Sequence, residues 1–582
     1  MIKYICQNCY GLECETSICP VCLKRTTFDK SIIYWSKKYN TPSFDEYCEI
    51  SNERCVPICS DIRPVFPEER LLLEILLGEP MKYAGKSIWN AGSNIYIVDG
   101  KKMTIPYKKL IEENDSNEVI KKLIIYSDEN KGYVNNYFEE SYMKAFIEIN
   151  KNRLNIITSE AINYIKKESE GWTVSQMFVS FSGGKDSTVT SDLVMKALDR
   201  KGIIHIYGDT TLEYPTSTKY VAEFRKNNPK TPLLIAKNKD QDFNNLCEVI
   251  GPPSRVMRWC CTIFKTGAIT KKIENTFKGC TKLLTFQGIR RIESKSRGKY
   301  ERTTTNSKIA KQITLSPIID WLDFDVWLYI IANKLLFNEA YRQGFSRVGC
   351  WCCPNNSNWS AFLSSIYMND EYKKFYSILY DFAKKVGKPD WKEYVDEGHW
   401  KARQGGNGLD YSNNAVISFK PCALEENAYN FNLTRPIDET LYTLFKPFGI
   451  LDFNIGNKRL NEVYVLDRKN KQPIFKISGR LGKKELKVSV LTDYSRFKNK
   501  AICESLIKNQ ITKFQTCIGC SACESVCRFN ALKVVNLEKG NVSNKTIQYT
   551  IDENKCVGCL ECVKHFDNGC YMKKVLRTKS GE

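Results

Sequence analysis

Residues 180–187 read SFSGGKDS, flanked by the apolar MFVSF (177–181) and by TVTSDLVMKALDR (188–200). The apolar run predicts a short buried strand, and Val189, Leu193, Val194 and Ala197 then fall on one face of an amphipathic helix. A glycine pair at such a junction lets the chain turn tightly and aims free N–H groups, with the positive end of the helix, at an anion. A strand handing over to a helix through an anion cradle points to an α/β fold with a parallel sheet. The spacing GxxxxGK[ST] is absent, so this is not a Walker loop.

The 582-residue chain is 42% hydrophobic and 26% charged, which suits several soluble globular domains and excludes a largely disordered chain. No run of about 18 apolar residues occurs. Four cysteines stand in the first twenty residues, where a signal peptide would carry an apolar core. A cytoplasmic protein without membrane association is expected. In that compartment 25 cysteines beside three histidines (His205, His399, His565) point to thiolate-built metal sites rather than disulfides. Thiolates select zinc and iron-sulfur clusters.

Two CxxC pairs, Cys6 with Cys9 and Cys19 with Cys22, can turn four sulfurs onto one tetrahedral ion. Residues 1–30 are therefore expected to form a zinc ribbon, with iron as the alternative and Cys14 left over. Cys48, Cys55 and Cys59 match no site, and core thiols or a partial second metal site stay open. Towards the end of the chain Cys517, Cys520, Cys523 and Cys527 follow C-x2-C-x2-C-x3-C, and Cys556, Cys559, Cys562 and Cys570 repeat it with a longer last gap. Residues 506–582 thereby resemble a bacterial dicluster ferredoxin domain, ferredoxin-like α+β in fold, in which each fourth cysteine ligates the other cluster. The resemblance implies one 4Fe-4S cluster on Cys517, Cys520, Cys523 and Cys570 and another on Cys556, Cys559, Cys562 and Cys527. Arg528 stands where that family places proline.

The SGGKDS loop resembles the PP-loop of the adenosine-nucleotide hydrolase superfamily. Residues 150–370 resemble the phosphoadenosine phosphosulfate (PAPS) reductase family through SFSGGKDST, YGDTTLEYP, RWCCTIFK, GIRRIES, PIIDWLDFDVW and NEAYRQGFSRVGCWCCP, in that order. The resemblance implies a doubly wound α/β domain that binds ATP, or adenylyl sulfate or PAPS, with magnesium as an optional companion. It implies nucleotide contacts from Ser182, Gly183, Gly184, Lys185, Asp186, Ser187, Asp209, Thr210, Glu213 and Arg290, with Lys185, Asp186 and Asp209 catalytic. Cys260 and Cys261 with Cys350 and Cys353 resemble the ligands of that family's iron-sulfur branch and imply a third 4Fe-4S cluster beside the loop. Cys352 is spare, and zinc at the same four positions is the alternative.

Several of these motifs also have a reading of their own. An apolar run ends in Gly208, which puts Asp209, Thr210 and Glu213 at the carboxyl edge of a parallel sheet, where such folds hold ligands; a plain polar turn is the other reading. Arginine suits bidentate contact to phosphate or sulfate, although one of Arg290 and Arg291 could pair with a surface carboxylate. In PIIDWLDFDVWLYI, Asp323 or Asp325 would cap a helix, with Trp321 and Trp327 in the core.

Residues 60–125 alternate short apolar segments with glycine turns and read as a small β-rich module that resembles PUA-like RNA-binding modules, with a small barrel of no assigned function as the alternative. Residues 371–505 read as a family extension and an α+β linker domain. The formal charge of +21 falls to about +13 if four metal sites bring about −2 each. A basic chain with KSRGKYERTTTNSK at 295–308 suits a polyanion, RNA more than DNA. The expected function is ATP-dependent sulfur transfer to nucleic acid, with electrons from the ferredoxin domain. The alternatives are reduction of adenylyl sulfate or PAPS to sulfite, and an electron carrier or scaffold. Reduction needs a free nucleophilic thiol; no ECGLH-like motif is present, and Cys422 in KPCALEEN is the closest isolated candidate.

Overall fold

In the computed structural model the strand before the loop is Met177–Phe181 (β1) and the helix after it is Lys185–Leu198 (α1). The structure describes residues 4–6, 12–14, 21, 27–28, 32–129, 137–199, 202–239, 241–305, 312–403, 418–517, 519, 523–524, 526–536 and 547–570. β1 lies inside a six-stranded sheet with Ile204–Asp209 (β2), Leu233–Lys237 (β3), Leu283–Gln287 (β4), Thr303–Thr304 (β5) and Gln312–Leu315 (β6). The order is β3-β2-β1-β4-β6-β5, and every pair is parallel except β5 with β6. The direction of winding reverses between β1 and β4, and the crevice at such a switch point is where doubly wound sheets take ligands. Strands buried on both faces need continuous apolar runs, and Phe178, Val179 and Phe181 supply one. Val189, Leu193 and Val194 of α1 share a core with Leu284, Phe286 and the buried Trp321 and Trp327.

The segment expected to be β-rich is mixed. Arg63–Pro64, Ile88–Asn90, Ile95–Val98 and Lys101–Thr104 form an antiparallel sheet, but Pro67–Leu76, Tyr107–Glu113 and Ser116–Glu129 are helices. Leu71, Leu72, Ile75 and Leu76 recur at helical spacing and bury against Ile88 and Tyr96, so packing favours helix there despite the glycine turns that follow. Cys48 and Cys55 are buried in one small cluster with Ile149, as core thiols. At the N-terminus Cys9, Cys19 and Cys22 lie outside the described residues. The backbones of Cys6 and Cys14 end short paired strands.

Beyond the parallel sheet, residues 418–490 form a six-stranded antiparallel sheet, followed by the helix Lys500–Thr516 (α2), the hairpin Leu532–Asn536 with Ile547–Ile551, and the helix Glu561–Gly569 (α3). Phe475, Val488, Leu506, Ile511, Val534 and Val563 join these pieces in one core. Among the described residues no helix is long and apolar enough to cross a membrane.

Candidate active site and thiolate centre

The cradle forms at the carboxyl end of β1. Gly183 takes φ +71°, a left-handed conformation that favours glycine. Ser187 Oγ holds the turn by donating to the Gly184 carbonyl (2.8 Å) and accepting the Ser182 N–H (3.2 Å). After β4, Gly288 comes so near that a Cβ there would lie 2.5 Å from the Asp186 carbonyl group. That approach delivers Arg290 onto the loop.

Arg290 is 3% exposed, with Nε 2.6 Å from Asp186 Oδ1 and Nη2 2.7 Å from Asp323 Oδ1. Lys185 Nζ lies 3.2 Å from Asp323 and 3.5 Å from Asp186. Arg290 thus pairs with carboxylates in the interior rather than on the surface. Burial would lower the Lys185 pKa, but Asp186 and Asp323 outweigh it and raise it. For Asp323 burial acts upward, and Lys185 and Arg290 overcome it, holding the carboxyl below the usual carboxylate range. Two cations are therefore fixed at an anion cradle against partners that a phosphate can replace.

Asp323 does not cap its helix. Asp325 Oδ2 accepts the Leu322 N–H (3.0 Å) and pairs with Arg153 (2.9 Å), while Asp61 accepts the N–H groups of Asp323 and Phe324 (3.0 Å each). Burial first, then Asp323, pushes Asp61 up to about 7. The Tyr341 hydroxyl accepts the Lys185 N–H at 3.0 Å. No local pattern in the sequence marked Asp61 or Tyr341 as neighbours of the loop.

The segment after β2 faces two ways. Asp209 accepts from Lys237 (3.0 Å) and from the Thr211 N–H (2.8 Å). Glu213 accepts the Thr210 hydroxyl (2.6 Å) and N–H (3.0 Å), and Thr210 Oγ1 lies 3.4 Å from Cys350 Sγ. Glu213 and Cys350 also pair through their backbones. Thr210 and Glu213 therefore link the carboxyl edge of the sheet to the cysteines.

Cys260 and Cys350 pack on one core, which also holds Cys352. Cys261–Thr266 is a π-helical turn, a backbone form frequent at functional sites. Cys260 and Cys261 are free thiols joined by a side-chain hydrogen bond, with Cys350 and Cys352 near Cys260 and with Cys353 near Cys261. Cys247, which no motif singled out, is buried beside Cys352 in the same core. The bond to Cys261 and then burial push the Cys260 thiol well up, and burial pushes Cys350 up to about 12. Such thiols ligate a metal only on losing their protons. Among the described residues no three His, Cys, Asp or Glu side chains converge on a single ion. A cluster meets each sulfur at a different iron, so the four-thiol donor set fits it without that convergence.

Of the C-terminal cysteines, Cys517, Cys523, Cys527, Cys556 and Cys562 line the core around α2 and α3, Cys559 is exposed and Cys520 lies outside the described residues. Cys570 lies near Lys513 and also packs on the core against which Cys260 and Cys350 pack.

The pattern of a phosphoadenosine phosphosulfate reductase domain matches residues 176–356, and that of a 4Fe-4S dicluster domain matches residues 516–565. The chain is similar to an uncharacterised protein of Methanocaldococcus jannaschii, 30% identical over 264 residues, which are 45% of this chain and 61% of that protein. It is also similar to an adenosine 5'-phosphosulfate reductase of Neisseria meningitidis, 38% identical over 98 residues, 16% of this chain and 36% of that one. It spans about three fifths of the length of the archaeal relative. Among solved structures, PAPS reductase of Candida auris aligns at TM-score 0.25 and 15% identity, over 33% of this chain and 94% of that one. The U34-tRNA thiolase NcsA of Methanococcus maripaludis aligns at TM-score 0.24 and 16% identity, over 44% of this chain and 84% of that one. With the cradle, the buried cations and the cysteines in these positions, the chain carries a phosphoadenosine phosphosulfate reductase domain followed by a 4Fe-4S dicluster domain.

Proposed function

We propose that the chain is an enzyme that binds ATP at the PP-loop, cleaves it to AMP and pyrophosphate, and transfers sulfur to a nucleic acid, RNA before DNA. The observation that carries this reading is the 3.4 Å contact between Thr210 Oγ1 and Cys350 Sγ, which makes the nucleotide edge and the thiolate centre neighbours. An activated atom at that edge would lie beside the thiolate centre.

In the reaction a carbonyl oxygen of the target base attacks the α-phosphorus and pyrophosphate leaves. Lys185 and Arg290, exchanging Asp186 and Asp323 for phosphate oxygens, neutralise the departing charge. Sulfide, made from a sulfane donor by two electrons, then displaces AMP, which carries off the oxygen. A 4Fe-4S cluster on Cys260, Cys261, Cys350 and Cys353 would supply electron transfer. The place of Cys570 against the same core supports electron entry from the dicluster domain. Lys295 and Lys299, exposed on the segment that leaves Arg291, put positive charge where RNA phosphates would lie.

Reduction of adenylyl sulfate or PAPS to sulfite is the second reading. It is supported by Cys422, whose thiol is lowered by the backbone N–H of Leu424, and by relatives named adenosine 5'-phosphosulfate reductase. Anaerobic holoprotein separates the two. AMP and pyrophosphate are expected from ATP only when RNA is added, Cys422→Ser keeps that activity within about twofold, and adenylyl sulfate gives no sulfite. Sulfite formation that requires Cys422 would install the second reading.

A further inference from the structure

We propose that Lys513 sets the reduction potential of the dicluster domain, its buried ammonium meeting the negative charge that a cluster gains on reduction. The inference rests on the dicluster domain and not on the reaction at the PP-loop.

Lys513 occupies the last turn of α2 and is 5% exposed. Burial acts against its charge, and Cys523, Cys562, Cys517 and Cys570, as thiolates, act to keep it. Three of these belong to one expected cluster and Cys562 to the other, so the ammonium stands between the two sets. Lys513 donates to Cys523 Sγ, and its Nζ lies 5.0 Å from the centre of the Tyr549 ring. The Tyr549 hydroxyl in turn donates to Cys517 Sγ.

An ammonium buried against neutral thiols is uncompensated, whereas ligating thiolates would pair it. The residues therefore fit an anionic group at this place better than they fit each other. Reduction adds one electron, and one negative charge, to a cluster. A fixed cation nearby favours that form, since net charge and hydrogen bonds to sulfur are among the factors that set such potentials.

The test is anaerobic holoprotein carrying Lys513→Met, reduced stepwise with dithionite and followed by electron paramagnetic resonance, with iron counted in parallel. Wild-type iron content is expected, with the reduction equilibrium of at least one cluster moved about tenfold towards the oxidised form, about 59 mV for a one-electron couple. Lys513→Arg is expected to stay near the wild-type potential. In metal-free protein Lys513→Met is expected to resist urea better than wild type, because it removes a cation left without an anion. Unchanged potentials in Lys513→Met overturn the proposal. If that variant loses iron, Lys513→Arg decides: iron with a wild-type potential supports a role for charge, and iron with a lowered potential overturns it. These readouts do not depend on ATP cleavage, so failure of the sulfur-transfer reading leaves them standing.

Discussion

Lys185 shows how much chemistry one side chain concentrates at the loop. Its ammonium is buried, anchored by Asp323 and Asp186, and shares both carboxylates with Arg290. Removing one member of a buried charge group costs about 3–5 kcal/mol because the others are left uncompensated. Lys185→Ala is expected to lower nucleotide cleavage by about 100-fold or more, as for loss of a charge-stabilising donor. Its iron content should stay at the wild-type level. Measured turnover near wild type would remove the loop from the mechanism. Lys185, Gly183 and Ser187 were legible from six adjacent letters. Asp323 was visible as an acidic residue at a helix start, but its partner was not, because the charge pair closes between segments far apart in the chain.

Strands and helices around the loop carry their own test in His205 of β2. The ring is fully buried, with Nδ1–H donating to the Ile203 carbonyl (2.9 Å) and Nε2 accepting the Ser191 hydroxyl (2.8 Å). Burial lowers its pKa from 6.5 to about 4, so the folded state holds the neutral ring. A histidine with a depressed folded pKa contributes stability that is present above its unfolded value and is lost as pH falls through the folded value. Unfolding free energy should fall from about pH 6.5 towards pH 4, by on the order of 3 kcal/mol in all. Urea titrations of His205→Gln should show a flatter slope across that window. Equal slopes would place the pH dependence elsewhere. At this scale β1 and α1 followed from hydrophobic period, whereas the helix Pro67–Leu76 was missed because glycine turns dominated the reading of its neighbourhood.

At the scale of the whole molecule, ion pairs and one packing contact join the dicluster domain to the parallel-sheet domain. Lys533 bridges Glu274 (3.3 Å) and Glu524 (4.0 Å), Lys271 reaches Glu524 (3.9 Å), and Cys570 rests on the core of the thiolate centre. These contacts hold the dicluster domain against the parallel-sheet domain. Anaerobically reconstituted protein is expected to carry about twelve irons and about one zinc, on three four-iron clusters and a four-thiolate ribbon at Cys6, Cys9, Cys19 and Cys22. Metal analysis giving about eight irons would remove the cluster at Cys260, Cys261, Cys350 and Cys353. RNA binding, if lysines such as Lys295 and Lys299 supply it, should weaken steeply with added salt in a filter-binding or anisotropy titration. A flat response would leave the positive charge without that partner.

Sequence alone determined the loop, the strand before it, the helix after it and the grouping of most cysteines, because each depends on spacing within a few residues. Only the tertiary structure decided that Asp61 reaches the helix carrying Asp323, that Cys247 joins Cys352, that Lys513 is buried near the cysteines of the dicluster domain, and that Cys570 packs on the core shared by Cys260 and Cys350. Those contacts arise where separately formed elements pack together. No period or short motif records them, since the free energy that selects them comes from burial and charge pairing between distant parts of the chain.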